Sequence, residues 1–154
     1  MPGEKPQCGF SLVELMVAMT LLLLLAVIAV PALNDMLRQN TVRSQANSLL
    51  ALLQFARSEA IKQQQNVQLT MTDTETGWRA DVIRVSDDES LRVMVQDVAE
   101  VTPADDAVVT FDSKGRAAAT ACISLSYAGD DSFDRHLNIS LGGQVAVESG
   151  GCGL

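Results

Sequence analysis

Two periods of apolar residues divide this chain. From Leu15 to Leu33 no residue carries a charge, and leucine, valine and alanine dominate. About 20 apolar residues suffice for a helix to cross the hydrocarbon core of a bilayer. Glu14 sits at the N-terminal edge of that run. Beyond Pro31, apolar residues recur at Val42, Ala46, Leu49, Leu53, Ala56 and Ala60, in steps of 4, 3, 4, 3 and 4. Such steps align side chains on one helical face. Arg43, Gln54, Arg57 and Gln64 fall largely elsewhere. The pattern predicts a helix from Phe10 to about Gln64, roughly 80 Å long at 1.5 Å per residue. Its first half suits lipid or a bundle of like helices, and its second half packs one stripe on the rest of the protein. Pro31 has no N–H for the Val27 carbonyl, so it either kinks this helix or ends it before a second one.

After Asn66 the period changes to two. Val67, Leu69 and Met71 alternate with Gln68, Thr70 and Thr72, which predicts a strand with one buried face. Asp73 to Gly77 reads as a turn. Trp78 to Val85 and Leu91 to Val95 read as strands on either side of the acidic loop Ser86 to Ser90. Val98 to Phe111, broken at Pro103 to Asp106, gives two short strands at most. Asp112-Ser113-Lys114-Gly115 is a turn. Cys122 to Tyr127 and Leu137 to Leu141 are strands, and Gly142-Gly143 predicts a two-residue hairpin turn into Gln144 to Glu148. The tail from Ser149 to Leu154 is rich in glycine. A long helix followed by antiparallel strands is an α+β class, with the amphipathic half of the helix covering one sheet face.

Charge separates the same regions. The 154 residues carry a net charge of −8. Asn34 to Asn66 holds four bases and two acids, whereas Val67 to Leu154 holds six bases and fifteen acids. Nucleic-acid binders neutralise phosphate with basic patches, and the distal part shows none in sequence. Three cysteines are present. Cys122 and Cys152 form an even pair that an oxidising compartment would crosslink; two buried thiols are the other arrangement. His136 is the sole histidine, so no nucleophile–histidine set can be built, and a surface role is expected. Asp130-Asp131-Ser132-Phe133-Asp134 places oxygens at alternate positions but lacks the glycine and distal glutamate of a calcium loop, so these acids read as solvated, like Asp87-Asp88-Glu89. Asn138-Ile139-Ser140 fits a glycosylation sequon, which matters only in a eukaryotic secretory pathway. Trp78 is expected in the core under the helix. With no phosphate-binding glycine loop and no metal-ligand cluster, neither catalysis nor a cofactor or metal is expected.

Glu14 needs a partner. An ionised side chain inside a membrane helix costs about 2.5–3.5 kcal/mol. No nearby residue is a cation, which leaves a free amino terminus, on this chain or a neighbouring copy. A secretory signal does not account for the segment. Such a signal has a basic region, an apolar core of about 7–15 residues and a small-residue cleavage site. Here the only base is Lys5 and the apolar run is longer.

Gly9-Phe10-Ser11-Leu12-Val13-Glu14 and the apolar helix after it resemble the processing site of type IV pilins and pseudopilins. The resemblance implies a prepilin peptidase that cuts between Gly9 and Phe10 and methylates Phe10. Met1 to Gly9 would be the leader, and Glu14 the fifth residue of the mature protein. Pro31 falls where many pilins bend. The implied organisation is a leader (1–9), a transmembrane and assembly helix (10–33), its amphipathic continuation (34–66) and an acidic periplasmic head (67–154). On assembly, Glu14 would pair with the Phe10 amine of the next subunit.

Ala56-Arg57-Ser58-Glu59-Ala60-Ile61 with Asn66-Val67-Gln68-Leu69 resembles the GspH/FimT family of minor pilins and minor pseudopilins. Gly77-Trp78, Phe111-Asp112-Ser113-Lys114-Gly115-Arg116 and the C-terminal cysteine fit the same family. The resemblance implies a pilin fold and other pilins or pseudopilins, the peptidase and inner-membrane lipid as partners. DNA-binding members of the FimT kind carry arginines in a C-terminal glycine-arginine motif. Gln144 and Ala146 stand at those positions here, and neither can hold a phosphate as a permanent cation does. The expected role is therefore a structural minor pilin in a single-pass inner-membrane protein, with DNA disfavoured as a partner.

Overall fold

The structure, a computed structural model, describes residues 11–127 and 130–152. Gly9 and Phe10 lie outside the described residues. One α-helix, α1, runs Leu12–Gln63 with Pro31 inside it. Of the two arrangements open at Pro31, the continuous helix is the one observed. Eight strands follow: β1 Val67–Thr74, β2 Gly77–Arg84, β3 Glu89–Gln96, β4 Val101–Pro103, β5 Ala107–Phe111, β6 Ala121–Tyr127, β7 Asp130–Ile139 and β8 Val145–Ser149. The chain divides after Leu37 into two compact units.

In the first unit the helix is apolar and exposed. Leu12, Leu15, Leu22, Leu24, Val27 and Ile28 each expose more than half of their surface. The segment is long and apolar enough to cross a membrane.

In the second unit, Val42, Ala46, Leu49, Leu53, Ala56 and Ala60 are all fully buried, as their spacing requires. Leu52 and Gln45 join them, so the stripe is wider than the sequence pattern suggested. The head also has two antiparallel sheets where the sequence suggested one. Their strand orders are β3-β2-β1-β5 and β4-β6-β7-β8. Val67, Leu69 and Met71 of β1, Trp78, Ala80 and Val82 of β2, Phe111 of β5, Ile123 and Leu125 of β6, and Leu137 and Ile139 of β7 complete one core with the helical stripe. Trp78 is fully buried. Each such leucine or isoleucine contributes about 1.5–3 kcal/mol by leaving water.

The helix ends without glycine. Gln64 adopts the left-handed conformation (φ 54°). The Gln65 N–H donates to the Ala60 carbonyl (3.2 Å) and the Gln64 N–H to the Ile61 carbonyl (3.4 Å). This is the paired arrangement that satisfies the last helical carbonyls.

Several boundaries differ from expectation. β1 and β2 pair as far as Thr74 with Gly77, so the turn shrinks to Glu75 and Thr76. β3 begins at Glu89 inside the expected acidic loop. Asp130 to Asp134 is the start of β7, where a loop was expected. There Asp134 is buried and accepts a hydrogen bond from the Ser126 hydroxyl (3.1 Å). The β7–β8 connection is a three-residue loop: the Ser140 N–H donates to the Gln144 carbonyl (3.0 Å) and the Gly143 N–H to the Ser140 carbonyl (2.8 Å). A tight turn capped by one left-handed glycine is a common hairpin form.

Candidate assembly site

The apolar unit presents the first part of the site. Glu14 lies in the first turn of α1. The Leu15 N–H donates to the Ser11 carbonyl (3.1 Å), so helical bonding begins there. A carboxylate in a first turn meets the positive end of the helix dipole. Among the described residues Glu14 is in no ion pair.

The second part is a latch on the head. The Arg57 Nε donates to the Gly115 carbonyl (2.8 Å) and its Nη2 to the Gly142 carbonyl (3.3 Å). One side chain of α1 thus holds two turns that are distant in sequence. Both turns need glycine against it. Gly143 has φ 73° and Gly115 has φ 74°. A Cβ on Gly143 would overlap the Gly115 carbonyl, and one on Gly115 would stand 2.6 Å from Ile61 Cδ1. The first turn is closed by Asp112, whose Oδ1 accepts the Lys114 and Arg116 N–H groups (2.9 and 2.8 Å). The Arg116 backbone N–H, chiefly, holds the Asp112 carboxyl below its ordinary pKa. The fold thus gathers both turns around Arg57.

The third part is the tail. Cys122 and Cys152 are joined in a disulfide with Cα atoms 5.9 Å apart across 30 residues. A loop of that size stabilises by about 3–4 kcal/mol in the chain-entropy model. The tail is also held without it. The Gly150 N–H donates to the Asp134 carbonyl (2.9 Å), and His136 Nδ1 lies 2.9 Å from the Gly150 carbonyl. His136 is half-buried in β7, where a surface position was expected, and its Nε2 stands 3.4 Å from Glu148 Oε2.

Residues 45–143 match the family model for the type II transport protein GspH, and residues 5–30 match that for the prokaryotic N-terminal methylation motif. The first match alone spans well over half of the chain. The chain belongs to the GspH/FimT family of type IV pilin-like proteins. Its fold is that of the type IV minor pilin FimU of Pseudomonas aeruginosa (strain PAO1). The FimU crystal structure in space group P21 superposes with a TM-score of 0.60 at 23% identity, covering 71% of this chain and 89% of FimU. The form in P65 gives a TM-score of 0.56 at 23% identity, covering 69% and 91%. No curated protein sequence matches the chain.

For a GspH/FimT protein, the motif match runs over Gly9, Phe10 and Glu14. Pro31 stands just beyond it, in the exposed apolar unit. Sequence reasoning missed the latch. Arg57 entered as a residue off the apolar stripe and as part of a family motif, and the signal was the pair of glycine turns at Gly115 and Gly142-Gly143. It also missed Asp134, because an acid among acids gives no sign of burial. No group of three metal-ligating side chains occurs among the described residues.

Proposed function

We propose that this chain is a minor pilin that primes assembly of a type IV pilus, or joins it near the tip. It acts by assembly, not catalysis. The observation that carries the reading is a single carboxylate, Glu14, in the first turn of an exposed helix otherwise free of charge from Leu12 to Leu33. Prepilin peptidase would remove Met1 to Gly9 and methylate Phe10. The helix would hold the subunit in the inner membrane by a single pass, with the head in the periplasm. Incorporation would move Glu14 beside the Phe10 ammonium of another pilin. The attraction of two opposite charges in a low-dielectric setting offsets the cost of burying either one. The disulfide fits a periplasmic head.

The test is Glu14→Gln or Glu14→Val. Cleavage should proceed as in the wild type, while the amount of protein in sheared filaments falls by about tenfold or more. Immunoblots of shear fractions and immunogold labelling read this. Unchanged incorporation refutes the role of Glu14.

The GspH family model favours a second reading, a minor pseudopilin of type II secretion. It shares the same chemistry. Deleting the gene distinguishes the two: loss of piliation supports the first and loss of exoprotein secretion the second. DNA uptake is the third possibility. Gln144 and Ala146 at the arginine positions, and the acidic head, count against it. A gel shift at low salt that collapses steeply with added salt would count for it.

A further inference from the structure

Among the described residues β8 pairs only with β7 and forms an edge of its sheet. Its other side is open. Starting from the Ser140–Gln144 bonded pair, the alternation of an antiparallel ladder turns the backbone groups of Ala146 and Glu148 toward β7. Those of Val145, Val147 and Ser149 then point away from the sheet. Sheet edges of this kind template the addition of another strand.

The open edge lies along a groove beside α1. One cleft of about 510 Å³ is lined by Gln54 and Arg57 of α1 with Gln144 and Val145. Another of about 370 Å³ is lined by Arg43 and Asn47 of α1 with Arg135, Val147 and Glu148. Arg43, Asn47, Gln54 and Arg57 follow one another in steps of 4, 7 and 3, so they form a single stripe of α1 facing this edge. The groove therefore has a polar helical wall and a β-strand wall.

Its charge is opposite to that of the head. Arg79, Arg84 and Arg116 are ion-paired with carboxylates. Arg43, Arg57 and Arg135 hold no ion pair among the described residues. Arg57 spends two N–H groups on uncharged carbonyls, which leave its charge uncompensated. Three unpaired cations thus flank one open strand in a chain of net charge −8. Among the described residues Glu148 is the only acid lining either cleft, and it reaches toward His136.

The geometry points to an extended acidic segment of a partner protein, added as a further strand on β8 with its carboxylates on the arginine side of the groove. A peptide strand offers donors and acceptors in alternation, matching the open N–H and C=O groups of Val145 and Val147. A phosphate chain offers acceptors only and would leave those carbonyls unmatched. Pairing β8 with β8 of a second copy would bring like charges together, which is unfavourable. Either kind of fibre, pilus or pseudopilus, is compatible with this site.

Fluorescence anisotropy on the full-length protein in zwitterionic detergent tests the site. The probe is a labelled peptide of about ten residues alternating glutamate and valine, compared with its lysine–valine counterpart, with a glutamate–valine peptide N-methylated at alternate residues, and with single-stranded DNA of about 20 nucleotides. The glutamate–valine peptide should bind saturably, and N-methylation should weaken it about tenfold by removing one edge of backbone donors. Arg43→Glu, at an exposed position, should weaken it about fivefold or more. Val147→Pro removes one outward N–H at a sheet edge, where proline is tolerated, and should weaken it similarly. Absence of binding at about 1 mM, or binding unchanged by N-methylation and by Val147→Pro, overturns the added strand. Binding unchanged by Arg43→Glu, or tighter binding of DNA or of the lysine peptide, overturns its acidic chemistry.

Discussion

Leu12 to Leu37 and Arg38 to Gln63 are parts of the same helix, yet they are held in place by different physics. In the first, Leu24 exposes 66% of its surface, and neighbouring leucines and valines are similar. In the second, Leu53 is wholly buried against strands of the head. Helical hydrogen bonds are common to both, so they do not distinguish them. In the second part, most helical stability comes from packing one face. In the first, the apolar surface is left uncovered, and Glu14 and Asp35 are its only charges. The difference teaches that helix and stability must be read separately: periodicity marks where the protein supplies its own core, and its absence marks where something else must.

Matched substitutions give the largest test of that contrast. Leu53→Ala should lower head stability by about 3–4 kcal/mol, from lost transfer energy and an unfilled cavity. Leu24→Ala should change it by less than about 0.5 kcal/mol. Urea unfolding in detergent, followed by emission from Trp78, measures both. Equal losses would erase the distinction between the two parts of the helix.

A smaller effect is expected at the latch, which has no equivalent in the apolar part. Gly143→Ala forces a side chain into a left-handed position and against the Gly115 carbonyl. It should cost about 2–3 kcal/mol by the same measurement. A neutral result would show that the two turns are not locked against Arg57.

The smallest effect is a pH dependence confined to the head. Asp112 has a folded pKa below its ordinary value. Its contribution is therefore fully present above the unfolded pKa and is lost as pH falls through the folded one. Protection of the Lys114 and Arg116 amides, taken relative to the intrinsic exchange rate at each pH, should fall as pH drops below the ordinary carboxylate range, while protection near Leu24 stays unchanged. A uniform loss of protection along the helix would contradict a local origin.

Much of this was legible in sequence because it is local. The helical stripe follows from intervals of three and four, and all six of its predicted positions are buried. The strand of Val67, Leu69 and Met71 follows from alternation. What escaped depends on partners distant in the chain. Leu52 and Gln45 are buried beyond the predicted stripe, in a head that holds two sheets rather than one. Asp130 to Asp134 shows no apolar alternation, yet Asp130 pairs with Tyr127 of β6 and the Asp134 carbonyl accepts from the Gly150 N–H of the tail. His136 is half-buried and meets the same glycine. At the site, Gly9, Phe10 and Glu14 stand out because a lone charge beside an apolar run is visible in one dimension. Arg57 does not, because its partners lie 58 and 85 residues away.

Intact-mass spectrometry of the protein recovered from sheared filaments tests most directly whether the apolar helix is delivered from membrane to fibre. The expected mass is that of a chain beginning at Phe10, carrying one added methyl group and an intact Cys122–Cys152 disulfide. A filament population still carrying Met1 to Gly9 would contradict it.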